Sequence, residues 1–244
     1  MDILEAFKNR IYTLKNEALS HDILLPFYNL EQQDIIKHCF KKTDEVKAYF
    51  YGGYQNSEYK RVIISPYVIK EEDFLISTIE ITPNLKTDKL NHRAILGSIL
   101  ALGLKREVIG DIISLDDKYY FFTTTQMKDF ILDNLRQIGR TFVALKEYTG
   151  PLNYEVKFKE ETIFVASMRL DNIVSSSFNI SRNKAKDLIL GSLVKINHQE
   201  VTSTDKQVRP DSLLSVRSKG RVYVGDILGK TKSGNLILNI KKPL

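Results

Sequence analysis

The sequence predicts an α+β protein in three parts. These are a helical/β amino region over 1–73, a ferredoxin-like (RRM-like) βαββαβ middle domain over 74–150, and a small α/β module over 163–244. Three observations carry this. Strand-like and helix-like patterns alternate regularly from Phe74 to Tyr148. Thr149-Gly150-Pro151, followed by the charged Lys157-Phe158-Lys159-Glu160-Glu161, breaks that rhythm and predicts a linker over 151–162. Positive charge then concentrates: residues 163–244 hold 14 Lys+Arg and 6 Asp+Glu, a balance of +8 in a chain of net charge +6, leaving −2 for the rest. A basic module beside a near-neutral body points to a polyanionic partner.

In order along the chain, Ile3, Leu4, Phe7, Ile11, Leu14 and Ala18 recur at helical spacing and predict a first helix. Asn29 is placed to cap a second, running to Lys41 with Ile35, Ile36 and Phe40 on its apolar side. Ala48 to Gly53 and Lys60 to Pro66 read as strands. The middle part follows as a strand from Phe74 to Thr82, a helix from Lys89 to Leu102, strands from Glu107 to Ser114 and Lys118 to Thr124 around an Asp116-Asp117 turn, a helix from Gln126 to Ile138 capped by Thr125, and a strand from Arg140 to Tyr148. In the last third, Ser167 is expected to cap a helix holding Leu170, Ile173 and Val174, and Ser181 a helix holding Ala185, Leu188 and Ile189 that stops at Gly191. Short strands follow near 193–197, 213–216, 222–224 and 236–238.

Composition narrows the class. With 43% hydrophobic and 27% charged residues, the chain is neither disordered nor fibrous. It contains no apolar run of membrane-spanning length, and its first residues lack the pattern of a secretory signal. A single cysteine, Cys39, excludes an internal disulfide, so a cytoplasmic protein is expected.

Ser167-Met168-Arg169-Leu170-Asp171, Ser181-Arg182-Asn183-Lys184-Ala185-Lys186-Asp187-Leu188-Ile189 and Gly191-Ser192-Leu193-Val194-Lys195-Ile196-Asn197 follow one another in the pattern R-L-D, S-R-x-x-A-x-x-L-I, G-x-V-x-V-N. This segment resembles the ribosomal protein S-four type RNA-binding domain. Tyr49 to Tyr54, Lys60-Arg61-Val62, His92 to Ser98, Gly103 to Asp111 and Gly229 to Gly234 are similar to the YlmH family, so that the resemblance covers essentially the whole chain. It implies binding to RNA of the large ribosomal subunit in ribosome-associated quality control, beside a stalled peptidyl-tRNA. One departure stands out: Arg209-Pro210-Asp211-Ser212-Leu213 occupies the place of a Gly-Asp turn.

The residue chemistry agrees with a phosphate partner. Arg182 and Lys184 fall in the first turn of a helix, where the dipole disfavours cations by about 0.3–1 kcal/mol each unless an anion lies near. A phosphate supplies that anion and bonds arginine and free N–H groups together. Arg169, Ser181, Arg182, Lys184, Lys186 and Lys195 are therefore candidate RNA contacts, with Asp171 in support. Arg217, Lys219 and Arg221 around Gly220, and Lys230 and Lys232 before Gly234, extend the set. Tyr51, Lys60, Arg61, His92 and Arg93 offer a second RNA surface, the other readings being core packing for the tyrosine and an ordinary helix-start pair for His92-Arg93. The aromatic strand Lys118-Tyr119-Tyr120-Phe121-Phe122 offers rings without the glycine of an RRM signature.

The sequence gives catalysis little support: Arg169-Leu170-Asp171 superficially matches a pseudouridine synthase but falls inside the binding module. His21, His38, His92 and His198 are dispersed, no zinc spacing surrounds Cys39, and no G-x-G-x-x-G follows a strand. The expected protein is a non-catalytic RNA binder without cofactor or metal, monomeric when free and without a membrane partner. Alternatives are an RNA-modifying enzyme of pseudouridine synthase or methyltransferase type, and a cell-division accessory protein.

Overall fold

The amino-terminal apolar stripe forms α1 (Ile3–Glu17), and Ile11 and Ala18 are fully buried. The computed structural model describes residues 3–85, 89–115, 118–152, 154 and 158–243. After α1 comes β1 (Ile23–Tyr28), then α2 (Leu30–His38), β2 (Lys47–Tyr51) and β3 (Lys60–Ser65). Asn29 caps α2 in a reciprocal box, its side chain accepting from the Gln32 amide while Gln32 accepts from Asn29. The strands form one antiparallel sheet in the order β1-β3-β2. β1 escapes the sequence reading because Pro26 interrupts it; the register slips between Leu25 and Phe27, the irregularity at which proline is tolerated.

The middle region runs β4 (Ile76–Pro83), α3 (His92–Leu100), β5 (Ile109–Leu115), β6 (Lys118–Thr124), α4 (Thr125–Asn134), β7 (Gln137–Ile138) and β8 (Thr141–Tyr148). Its sheet order is β5-β6-β4-β8-β7, with every described pairing antiparallel. Without the two-residue β7, this is the strand order of a ferredoxin-like βαββαβ unit. Several boundaries shift. Glu71–Phe74 is a 3-10 turn before β4, and Arg106–Val108 is another before β5. Thr124, rather than Thr125, precedes α4. That helix ends at Asn134, since Ile138 pairs with Thr141 across a hairpin turned by Gly139 at φ +60°. The expected Asp116-Asp117 turn lies outside the described residues.

The amino and middle regions share a core rather than standing apart. One sheet face carries α3 and α4, burying Ile79, Ile81, Ile95, Ile99, Phe121 and Ile131. The other buries Tyr120 and Phe122 against Phe27 and Tyr54 from the amino region, with Tyr148 and Tyr154 packed alongside. Asp111 ties the two together. Its carboxylate accepts from Tyr54 Oη at 2.7 Å and from the Glu58 and Tyr59 amides at 2.8 and 2.9 Å. Residues 1–154 make one compact unit and 155–244 a second.

The second unit contains β9 (Phe158–Val165), α5 (Leu170–Ser177), α6 (Arg182–Leu190), β10 (Val194–Ile196), β11 (Gln199–Glu200), β12 (Ser212–Val216), β13 (Gly220–Lys230) and β14 (Leu236–Pro243). Its antiparallel sheet has the order β11-β10-β12-β13-β14-β9. The charged stretch expected as linker is, from Phe158 onward, half of β9. Glu160 and Glu161 sit across from Lys241 and Ile240 of β14 and pair with Lys241 and Lys242. Its charges alternate between the two faces of this strand end and are paired there by Lys241 and Lys242, which is why composition alone reads as linker. The remaining linker residues 153 and 155–157 lie outside the described residues. Leu170, Ile173, Ala185 and Ile189 of the helices pack on Val194, Leu214, Val216, Val222 and Ile240 of the sheet.

Two glycines separate backbone need from chance. Gly53 sits at φ +99°, and a Cβ there would lie 2.2 Å from the Phe122 ring; Gly97, within α3, has open space around it. Gly53→Ala is expected to lose about 2–4 kcal/mol through strain and overpacking. Gly97→Ala is expected to gain about 0.5–1 kcal/mol by restricting the unfolded chain. Urea denaturation of both variants checks the pair; equal effects would contradict this packing.

Candidate nucleic-acid interface

In the second unit, the start of α5 is held by backbone rather than by a capping side chain. The Leu170 and Asp171 amides donate to Lys206 O at 2.9 Å and Thr204 O at 3.0 Å, and the Val208 amide donates to Met168 O. Arg169 occupies the cap position. Ser167, expected there, instead accepts from Asn172 Nδ2 at 2.8 Å. Ser181 does cap α6, accepting from the Lys184 amide at 3.2 Å. The departure at 209–213 is accommodated by Asp211 at φ +62°, whose amide donates to Val224 O at 2.7 Å.

Asp171 is the centre of this arrangement. Its side chain is fully buried. Oδ1 accepts from Arg169 Nε at 3.2 Å and from the Asn172 amide at 2.9 Å, and Oδ2 accepts from Arg169 Nη2 and Arg182 Nε, both at 3.3 Å. Burial pushes the carboxyl pKa up, but the two guanidinium groups outweigh it and hold the group below its ordinary value of 3.8. The anion beside Arg182 at the positive end of α6 is thus internal to the fold. Both arginines still reach solvent, at 36% exposure for Arg169 and 52% for Arg182. Lys184 and Lys186 are exposed on the same helix.

The other basic candidates of this unit lie on its hairpins and sheet. Lys195 of β10 and Arg221 of β13 stand across from Ser215 of β12. Arg217 and Lys219 are exposed at the β12–β13 turn. Lys230 and Lys232 are exposed at the β13–β14 turn, where the Thr231 and Ser233 hydroxyls bond at 2.9 Å. Lys195 is partly neutralised by Glu200 at 3.3 Å.

The residues offered for a second surface divide between core and exterior. Arg61 is buried, with Nε donating to Leu25 O at 3.1 Å and Nη1 to Phe74 O at 2.7 Å and Leu75 O at 3.1 Å. Burial lowers its pKa to about 10, and its cation serves backbone carbonyls in the core. Tyr51 is half-buried against Phe74, its hydroxyl pushed up to about 12 by burial and by a hydrogen bond to Glu71. Lys60 is half-buried, while His92 and Arg93 lie exposed at the start of α3. The sheet face that an RRM uses for base stacking is closed, because Tyr54 stacks on Phe122 at 5.2 Å and Tyr148 meets Tyr120 at 5.1 Å. A depression of about 670 Å³ in the first unit, lined by Tyr51, Tyr54, Glu71, Thr78 and Leu152 among others, has no basic side chain among its described lining residues. Among the described residues, no helix is long and apolar enough to cross a membrane.

Comparison with known proteins matches these two regions. The family model for an RNA-binding domain in YlmH covers residues 69–150, and the S4 domain model covers 168–214. Ribosome-associated protein quality control protein P2 of Bacillus subtilis (strain 168) is 32% identical over 215 residues, spanning 86% of this chain and 82% of that protein. The chain belongs to the YlmH family. A solved structure, cell division protein YlmH from Streptococcus pneumoniae, aligns with a TM-score of 0.51 and 27% identity, over 61% of this chain and 93% of that one. The S4 match holds Arg169, Asp171, Ser181, Arg182, Lys184, Lys186 and Lys195, while Arg217 to Arg221 and Lys230 to Lys232 of this YlmH-family chain fall beyond it.

The Asp171 cluster predicts an acid-sensitive second unit. Because its folded pKa is depressed, Asp171 contributes stability that is present above the ordinary carboxylate range and lost as pH falls below it. Asp171→Asn is expected to cost about 1–3 kcal/mol near pH 7 and to flatten this dependence. Thermal melting from pH 3 to pH 7 checks both; a wild-type pH profile in the variant would show that the carboxylate is not responsible.

Proposed function

We propose that this chain is a non-catalytic, monomeric RNA-binding protein of the cytoplasm. In this reading it acts on the large ribosomal subunit in ribosome-associated quality control, with ribosomal RNA as its main contact and peptidyl-tRNA as a second. The observation that carries it is the Asp171 cluster, in which one buried carboxylate fixes two half-exposed guanidinium groups at the amino end of α6. A phosphate arriving there meets preoriented donors, the favourable helix end, and the Lys184 and Lys186 charges. The name of the Bacillus subtilis relative supplies the setting.

Asp171 also bears on the enzymatic alternative. An arginine-leucine-aspartate sequence superficially matches a pseudouridine synthase, but this aspartate has no exposed side-chain surface and its oxygens are bonded within the protein. It supports the fold and the arginines instead of meeting a substrate. Mass spectrometry of ribosomal RNA from cells with and without the gene tests this; a modification lost on deletion and restored by purified protein would favour an enzyme.

Binding to purified large ribosomal subunits tests the phosphate contact. Arg182→Ala is expected to weaken binding by about 1–3 kcal/mol and to reduce the salt slope by about one unit. Lys186→Ala should act in the same direction more weakly, since lysine cannot grip a phosphate bidentately. Leu188→Ala should lower the melting temperature first, as that side chain lies in the core. An Arg182→Ala protein with the wild-type salt slope would remove the contact.

A further inference from the structure

A second basic site lies on the face of the carboxyl-terminal sheet turned away from α5 and α6. Val194, Leu214, Val216 and Val222 point into the helix-covered core. Strand alternation sends the intervening Lys195, Ser215 and Arg221 to the other face. Cross-strand register puts them in one row, Lys195 opposite Ser215 and Ser215 opposite Arg221, with Glu200 completing the row beyond Lys195. These residues line a cleft of about 500 Å³, together with Arg217, Ser218 and Gly220 around the β12–β13 turn.

Ser215 is the informative member. Its Oγ is shielded from solvent and makes no hydrogen bond within the described structure. A buried hydroxyl without a partner costs free energy. Here it sits between two cations in a cleft that a third also lines. A phosphate oxygen accepts from the hydroxyl and from the guanidinium groups at once, and it competes with Glu200 for Lys195.

We propose that this cleft is a second RNA-phosphate site, taking a backbone phosphodiester from a different segment of RNA than the one at α6. Arg217 and Arg221 hold the phosphate, Lys195 turns to it from Glu200, and that movement opens the Ser215 hydroxyl to donate to it. The proposal rests on the RNA-binding reading above and adds a second, separately mutable contact on the opposite side of the sheet. Two such contacts on one rigid module raise affinity for folded RNA that reaches both faces.

The test uses the full-length protein, ¹⁵N-labelled, titrated with inorganic phosphate and, separately, with a 20-nucleotide RNA hairpin. The expected result is movement of the Ser215–Arg221 amide signals with both probes, with the hairpin acting at far lower concentration. Arg182→Ala should keep the cleft shifts while losing those of α6, which separates this site from the first. Ser215→Ala should weaken hairpin binding about tenfold, the scale of one charge-assisted hydrogen bond, without lowering the melting temperature. Arg217→Gln should reduce the salt slope by about 0.7–0.9. Cleft shifts with phosphate but none with the hairpin would make it a free-anion site and overturn the proposal. Hairpin shifts confined to α6 would overturn it while leaving the first site intact, and no hairpin shifts anywhere would count against both.

Discussion

The buried carboxylate of Asp171 is the constraint on which the carboxyl-terminal unit depends. A lone carboxylate without solvent would be too costly to leave ionised. It survives because Arg169, Arg182 and the Asn172 amide share its two oxygens. The same bonds join the start of α5 to the start of α6, and they aim two half-exposed guanidinium groups outward. Fold and site are thus one arrangement. The interaction that buries an aspartate in the first turn of α5 also places the cations, which reduces the side-chain ordering that a phosphate would otherwise have to impose.

The first unit solves a different problem. A ferredoxin-like sheet with helices on one face leaves the other face open, and in RNA-binding relatives of that topology the open face stacks bases. Here Phe27, Tyr54, Tyr148 and Tyr154 fill it, while Asp111 anchors the 54–59 segment beneath them. Aromatic residues that resemble a stacking platform in the sequence have become a second hydrophobic core. The basic excess of the chain correspondingly sits in the other unit.

Much of this was legible in the sequence because it rests on local patterns. The Asn29 and Ser181 caps, the βαββαβ order and the R-L-D and S-R-x-x-A signatures all depend on neighbours within a few residues. What escaped depends on pairing across long separations. β9 hides its apolar residues among Lys159, Glu160 and Glu161, whose partners lie about eighty residues away in β14. Ser215 meets Lys195 and Arg221 only once the register of three strands is known. Arg61 reads as a surface cation beside aromatics, yet its partners are the carbonyls of Leu25, Phe74 and Leu75, which no periodicity reveals. Ser167 lost its capping role for a similar reason, because the backbone of 204–206 reached the start of α5 first.

Whether Asp171 organises the two half-exposed arginines for RNA has a direct test, because net charge and preorganisation predict opposite signs. Asp171→Asn removes a negative charge from beneath a basic surface, so bulk electrostatics alone would tighten RNA binding. If the carboxylate positions Arg169 and Arg182, the same change should weaken binding to large ribosomal subunits, measured at a temperature where circular dichroism shows the variant fully folded. A folded Asp171→Asn protein that binds as tightly as wild type, or more tightly, would contradict the account.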